Sequence, residues 1–112
     1  MMCLLTERWL KPGTFDRFRA AWEPDEHPES LIRAYHLRDE VDPDHVVSFG
    51  LFDLDRAEFE RLRRSARLQQ MQQTRHAAMA EFVAQTGLDT AFEVIDVVEG
   101  PAASRAGGVT GT

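Results

Sequence analysis

Residues 46–62, VVSFGLFDLDRAEFERL, constrain the fold more than any other stretch of the chain. Val46, Val47, Phe49, Leu51 and Phe52 form a β-branched and aromatic run, too short for a typical helix and suited to a buried strand. Asp53-Leu54-Asp55 ends the run. Asp55 then stands where an N-cap belongs, with Glu58 three residues on to complete a capping box. Leu54 and Phe59 occupy the N′ and N4 positions of a hydrophobic staple. A strand that turns straight into a helix leaves apolar surface on both sides, and the rest of the chain has to cover it.

The covering elements can be read in order. Met2–Leu10 is rich in strand formers, with Cys3, Leu5, Glu7 and Trp9 on one face and Met2, Leu4, Thr6, Arg8 and Leu10 on the other. Lys11-Pro12-Gly13 ends it. Thr14 is an N-cap for a first helix that carries Phe15, Phe18 and Trp22 at i, i+3 and i+7, the spacing of a core-facing stripe, and Pro24 closes that helix. Residues 23–29 form an acidic loop in which His27 fits no metal-ligand spacing. Residues 30–38 form a second strand, in which Leu31, Arg33, Tyr35 and Leu37 alternate with Ile32, Ala34, His36 and Arg38. Both sets mix apolar and polar groups, so either both faces are covered or one lines a polar cavity. The polar turn 39–45 contains Pro43 and makes a hairpin of strands two and three.

From Asp55 the helical pattern continues to about residue 86, but its apolar stripe moves. Phe59, Leu62 and Ala66 lie on one side; Leu68, Met71, Met79, Phe82 and Val83 lie on nearly the opposite one. This predicts a break at 64–67, with Ser65 capping a second helical piece and Gly87 as its C′ residue. Residues 91–99, AFEVIDVVE, read as a fourth strand, and 100–112 as a flexible, small-residue tail. The order β-α-β-β-α-β predicts an α+β, ferredoxin-like domain over 1–99: a four-stranded antiparallel sheet with its helices on one face. The other face would be left bare and apolar, which predicts a homodimer packed through the open sheet face.

Composition removes several function classes. A net charge of −6 and a pI near 5.1 argue against nucleic acid as a ligand. The arginines at 56, 61, 63, 64 and 67 are interspersed with Glu58 and Glu60, as on a solvated helix face. The single Cys3 allows neither an intramolecular disulfide nor a thiolate zinc cluster, and this fits a cytoplasmic location. The first residues lack the pattern of a signal peptide, and no apolar run reaches membrane-spanning length, so no membrane association is expected.

KPGTFDRFRAAW after the first strand, the LFDLDRAEFERL corner, and Ser65 with Leu68 opening the next helix together resemble the antibiotic biosynthesis monooxygenase family of dimeric α+β barrels. The resemblance spans about residues 2–99 and is one of residue class, with Phe52 where the family usually has Trp. It implies a homodimer with a cavity in each protomer between sheet and helices. Some members of the family oxygenate aromatic polyketides with O2 and neither metal nor flavin; others degrade haem. The haem-degrading members use Asn, Trp and His at positions that correspond to Glu7, Phe52 and Gln72. All three differ here, so haem degradation and a bound cofactor are not expected, although His76 lies one helical turn beyond Gln72.

A cofactor-independent oxygenase needs a base for a phenolic or enolic proton, donors for the resulting anion, and an apolar pocket. His76 and His36 are the candidate bases. Tyr35 is a candidate donor to a substrate oxygen and Arg33 a candidate partner for an enolate, while Trp9, Trp22 and Phe52 would form aromatic walls and Gln72 a polar contact. Tyr35 and His36 point to opposite faces of one strand; Tyr35 is preferred because its face carries Arg33. Glu7 sits at a wet edge, in a pocket with a raised pKa, or in a salt bridge to Arg33 or Arg8. The expected ligand is a small aromatic or polyketide-like molecule. Two other readings stand beside the oxygenase: a ligand-binding or structural barrel without turnover, to which Gln69, Gln70, Gln72 and Gln73 lend a neutral polar lining, and a polyketide cyclase.

Overall fold

The capping box at the central corner forms as its residues dictate. In the computed structural model, which describes residues 1–103, the Asp55 side chain accepts from the Glu58 amide at 2.8 Å and Glu58 Oε1 accepts from the Asp55 amide at 3.0 Å. This launches α2 (Arg56–Arg64) directly after β3 (His45–Phe52), and Phe59 is buried with 1% of its surface exposed. Helix α2 ends at Ser65, whose hydroxyl accepts from the Leu68 amide and starts α3 (Ala66–Met79). The break thus falls where the apolar stripe changes sides. The remaining elements are β1 (Met2–Leu10), α1 (Phe15–Trp22), β2 (Leu31–Arg38), a 3-10 turn (Ala80–Phe82) and β4 (Val83–Glu93).

The four strands form an antiparallel sheet in the order β2-β3-β1-β4, the ferredoxin-like arrangement. Leu10, Phe18, Val46 and Met79 form a core cluster between the sheet and helices α1 and α3, with Phe15, Trp22 and Phe82 packed against it. Thr14 precedes α1 as expected, but its hydroxyl donates to the Lys11 carbonyl at 2.7 Å and does not cap the helix.

Two expectations are corrected at the C-terminal end. Helix α3 stops at Met79, and the fourth strand occupies Val83–Glu93, where 91–99 was expected. Phe82 and Val83 look like a continued helical stripe, yet the Lys11 amide donates to the Phe82 carbonyl at 2.8 Å and draws the chain into the sheet. Gly87 therefore ends no helix. It lies in β4 at a β-bulge, where Thr6 pairs with Asp89 and Arg8 with Thr86, leaving Gly87 and Leu88 opposite Glu7. A Cβ on Gly87 would come within 2.4 Å of Glu7 Oε1 and 2.9 Å of Trp9, so the position is kept side-chain-free by close approach. Residues 94–99 run on outside the sheet, held at their start by the Val94 amide on the Met1 carbonyl at 2.9 Å. The expected flexible tail, 100–112, lies outside the described residues from 104 onward.

Candidate ligand cavity

Period two in the strands divides the candidate residues between two faces. Leu4, Thr6 and Arg8 of β1 and Ser48, Gly50 and Phe52 of β3 look toward the helices. From the helical side come Trp22 of α1, Phe59 and Leu62 of α2, and Leu68, Met71, Gln72, Arg75, His76 and Met79 of α3. Together they bound a cavity of about 430 Å³ between the sheet and the helices, the size range of small-molecule sites. Its walls are mainly aromatic and aliphatic.

Four of the expected site residues meet at this cavity: Trp22, Phe52, Gln72 and His76. His76 is exposed, so it belongs to the rim. Gln72 Oε1 accepts from Arg75 Nη1 at 3.3 Å. The other four, Glu7, Trp9, Arg33 and Tyr35, lie on the opposite face of the sheet. There Tyr35 stacks on Phe49 with ring centroids 4.9 Å apart, and Arg33 Nη1 donates to the Tyr35 hydroxyl at 3.5 Å. The preference for Tyr35 over His36 is therefore corrected: Tyr35 and Arg33 share a face, as expected, but it is the outer one, and His36 is the helix-facing residue. Its ring is met edge-on by Trp22 at 4.6 Å and by Phe18 at 6.2 Å, and its Nδ1 pairs with Ser48 Oγ at 2.7 Å. Burial, with the Arg19, Arg8 and Arg75 guanidiniums nearby, pulls its pKa down to about 4, so the ring is neutral at pH 7 and a weak base.

Of the alternatives for Glu7, neither the pocket with a raised pKa nor the salt bridge to Arg33 or Arg8 is found. Glu7 belongs to a chain of side chains on the outer face: His45 Nε2 meets Glu7 Oε2 and His45 Nδ1 meets Asp39 Oδ2, both at 2.8 Å. Trp9 stacks on the His45 ring, with centroids 4.5 Å apart and planes 9° from parallel. Hydrogen bonding to His45, and then to the Leu88 amide, holds the Glu7 carboxyl below its ordinary value. The positions compared with the haem-degrading pattern are split in the same way, since Glu7 faces away from Phe52 and Gln72. Among the described residues no group of three or more His, Cys, Asp and Glu side chains could hold a metal ion, and no described helix is long and apolar enough to cross a membrane.

Two cavity residues escape the sequence reading. Arg8 is only 8% exposed and its guanidinium lies over the Phe18 ring at 5.3 Å. Arg75 lies over Trp22 at 4.7 Å, and its Nε donates to the Trp22 carbonyl at 2.6 Å. Burial lowers the pKa of both, and Arg75 is lowered further by Arg8. The signals were present: Arg8 alternates with Leu4 and Leu10, and Arg75 stands four residues from both Met71 and Met79 on the inward stripe of α3.

No protein-family profile matches the sequence, and no curated protein gives a significant match. The fold does have solved neighbours. A provisionally named antibiotic biosynthesis monooxygenase from Chloroflexus aurantiacus is 14% identical with a TM-score of 0.62, over 88% of this chain and 96% of its own. Another of the same provisional name from Nitrosomonas europaea is also 14% identical with a TM-score of 0.62, over 86% of this chain and all of its own. A protein from Mycobacterium tuberculosis is 13% identical with a TM-score of 0.58, over 88% and 98% of the two chains. At such identities the likeness is one of fold, and it agrees with the α+β, ferredoxin-like architecture read from the sequence.

Proposed function

We propose that the protein is a cofactor-independent monooxygenase acting on a small, electron-rich aromatic or polyketide-like molecule bound between the sheet and the helices. The observation that carries this reading is the cavity itself, with apolar and aromatic walls, guanidinium donors on two of its elements and an imidazole on its rim. In such a site the substrate's phenolic or enolic hydroxyl gives its proton to His76. Arg8 and Arg75 then stabilise the oxyanion beside the apolar walls. The electron-rich anion reduces O2, an oxygen adds to the activated ring carbon, and loss of one water leaves a quinone; substrate and O2 supply every atom and electron. We propose further that the protein acts as a homodimer, because Tyr35, Leu37, Leu88 and Phe92 are all exposed apolar groups of the sheet's outer face.

The test is oxygen uptake with dihydroxynaphthalenes, corrected for autoxidation. One O2 consumed per quinone formed is expected, slowed roughly tenfold or more in His76→Ala and in Arg8→Gln. Tight binding without oxygen uptake or product would remove the oxygenase and leave a binding protein, the reading favoured by the weak basicity of His36. A ring-closed product formed without O2 would make the protein a cyclase.

A further inference from the structure

Arg8 is nine-tenths buried, lines the cavity, and has no hydrogen-bond or ion-pair partner for its guanidinium among the described residues. Such a group is costly to bury, and a protein that keeps one in a cavity gains when an anion enters. We propose that the cavity selects ligands carrying a permanent carboxylate on an aromatic or enolisable core, and that Arg8 and Arg75 together bind that carboxylate.

The charges support a monoanion. Among the charged residues of the cavity wall, Arg63 is ion-paired with Glu60 at 3.6 Å. Arg8, Arg75 and Asp89 remain, and they leave one positive charge uncompensated. Asp89 accepts from the Thr6 hydroxyl at 3.3 Å; it acts on Arg8 through space, but no ion pair joins the two. Glu23 is the acidic group that acts on Arg75, and it is already engaged by Arg19 at 3.6 Å and His27 at 3.1 Å. The two guanidiniums are close enough for Arg8 to depress the pKa of Arg75, and each rests on an aromatic face. Arg75 spends its Nε on the Trp22 carbonyl and one Nη1 hydrogen on Gln72, which aims the group and leaves further N–H donors. A planar carboxylate matches that fork, while the apolar remainder of the wall takes the ring system.

The inference rests on the proposed cavity being the ligand site, but not on turnover. Calorimetric titration of the full chain with 1-naphthoate and with its neutral counterpart 1-naphthalenemethanol tests it. The carboxylate is expected to bind roughly tenfold tighter or better, with a gap that narrows in high salt. Arg8→Gln should bring the two affinities within about threefold while keeping the alcohol's affinity, and Arg8→Lys should restore part of the preference. Arg75→Gln provides a second variant should Arg8→Gln fail to give the native circular dichroism spectrum. Equal binding of the two probes, binding of neither, or a preference that survives both glutamine substitutions would overturn the proposal. A carboxylate preference without oxygen uptake from any phenol leaves it standing and removes only the oxygenase reading; oxygen uptake with equal binding does the reverse.

Discussion

Both ring nitrogens of His45 meet carboxylates, Glu7 on one side and Asp39 on the other, so the folded protein favours the imidazolium. Hydrogen bonds donated to Asp39 and then to Glu7 raise the His45 pKa, while accepting from His45 brings Asp39 down to about 2. A raised histidine contributes stability that is complete below its ordinary 6.5 and is lost as pH rises through the folded value. The lowered carboxyls contribute above their ordinary values of 4.5 and 3.8 and lose it in acid. The cluster therefore holds best in mildly acidic solution. His36 acts with the opposite sign. Its pKa falls to about 4, so below 6.5 the unfolded chain takes up a proton that the folded chain refuses, and acid weakens the fold. For His45→Gln, the loss in melting temperature relative to the natural chain should be larger at about pH 5.5 than at about pH 8.5. Equal losses at the two pH values would show that the ring contributes only through stacking on Trp9.

At the scale of the element, β4 depends on what it passes over. Gly87 lets the bulge lie against Glu7 and Trp9, and Glu7 Oε1 accepts from the Leu88 amide at 3.2 Å. Gly87→Ala should force the Glu7 carboxylate aside and cost about 1–3 kcal/mol, read from chemical denaturation. Because Gly87 does not have a positive φ, the cost is one of contact with Glu7 and Trp9, and Gly87→Ala should cost less when made in a Glu7→Ala background than in the natural chain. A loss unchanged in the double variant would refute that cause. The bulge also shows where the sequence stops being legible. The corner at Asp55 and the break at Ser65 could be read because each depends on residues three apart in the chain. The start of β4 depends on pairing with β1, more than seventy residues away, so Phe82, Val83 and Gly87 pass for the end of a helix. Likewise Trp22, Phe52, Gln72 and His76 were legible as cavity residues. The phase of β2 was not, because the ring cluster around His36 is a tertiary choice that alternation cannot encode. Arg8 and Arg75 were passed over because charged side chains are usually solvated.

For the whole molecule, the proposed pairing of two sheets makes a direct demand. Leu37 is 47% exposed on the outer face, so Leu37→Glu should change the stability of a single protomer by no more than about 0.5 kcal/mol. In the dimer the same charge would be buried, and light scattering at micromolar concentration should fall from twice the 12.7 kDa protomer mass to the protomer mass itself. An unchanged dimer would place the contact elsewhere. The alternation that separates cavity from outer face has one more consequence. In β1, Thr6 and Arg8 serve one side while Glu7 and Trp9 serve the other. Inserting or deleting one residue there would exchange the two sets, turning Arg8 outward and driving Glu7 toward Phe18. Such a strand can vary in composition but not in length, so descendants of this chain should gain and lose residues in loops such as 23–30 and 39–44, and never within β1.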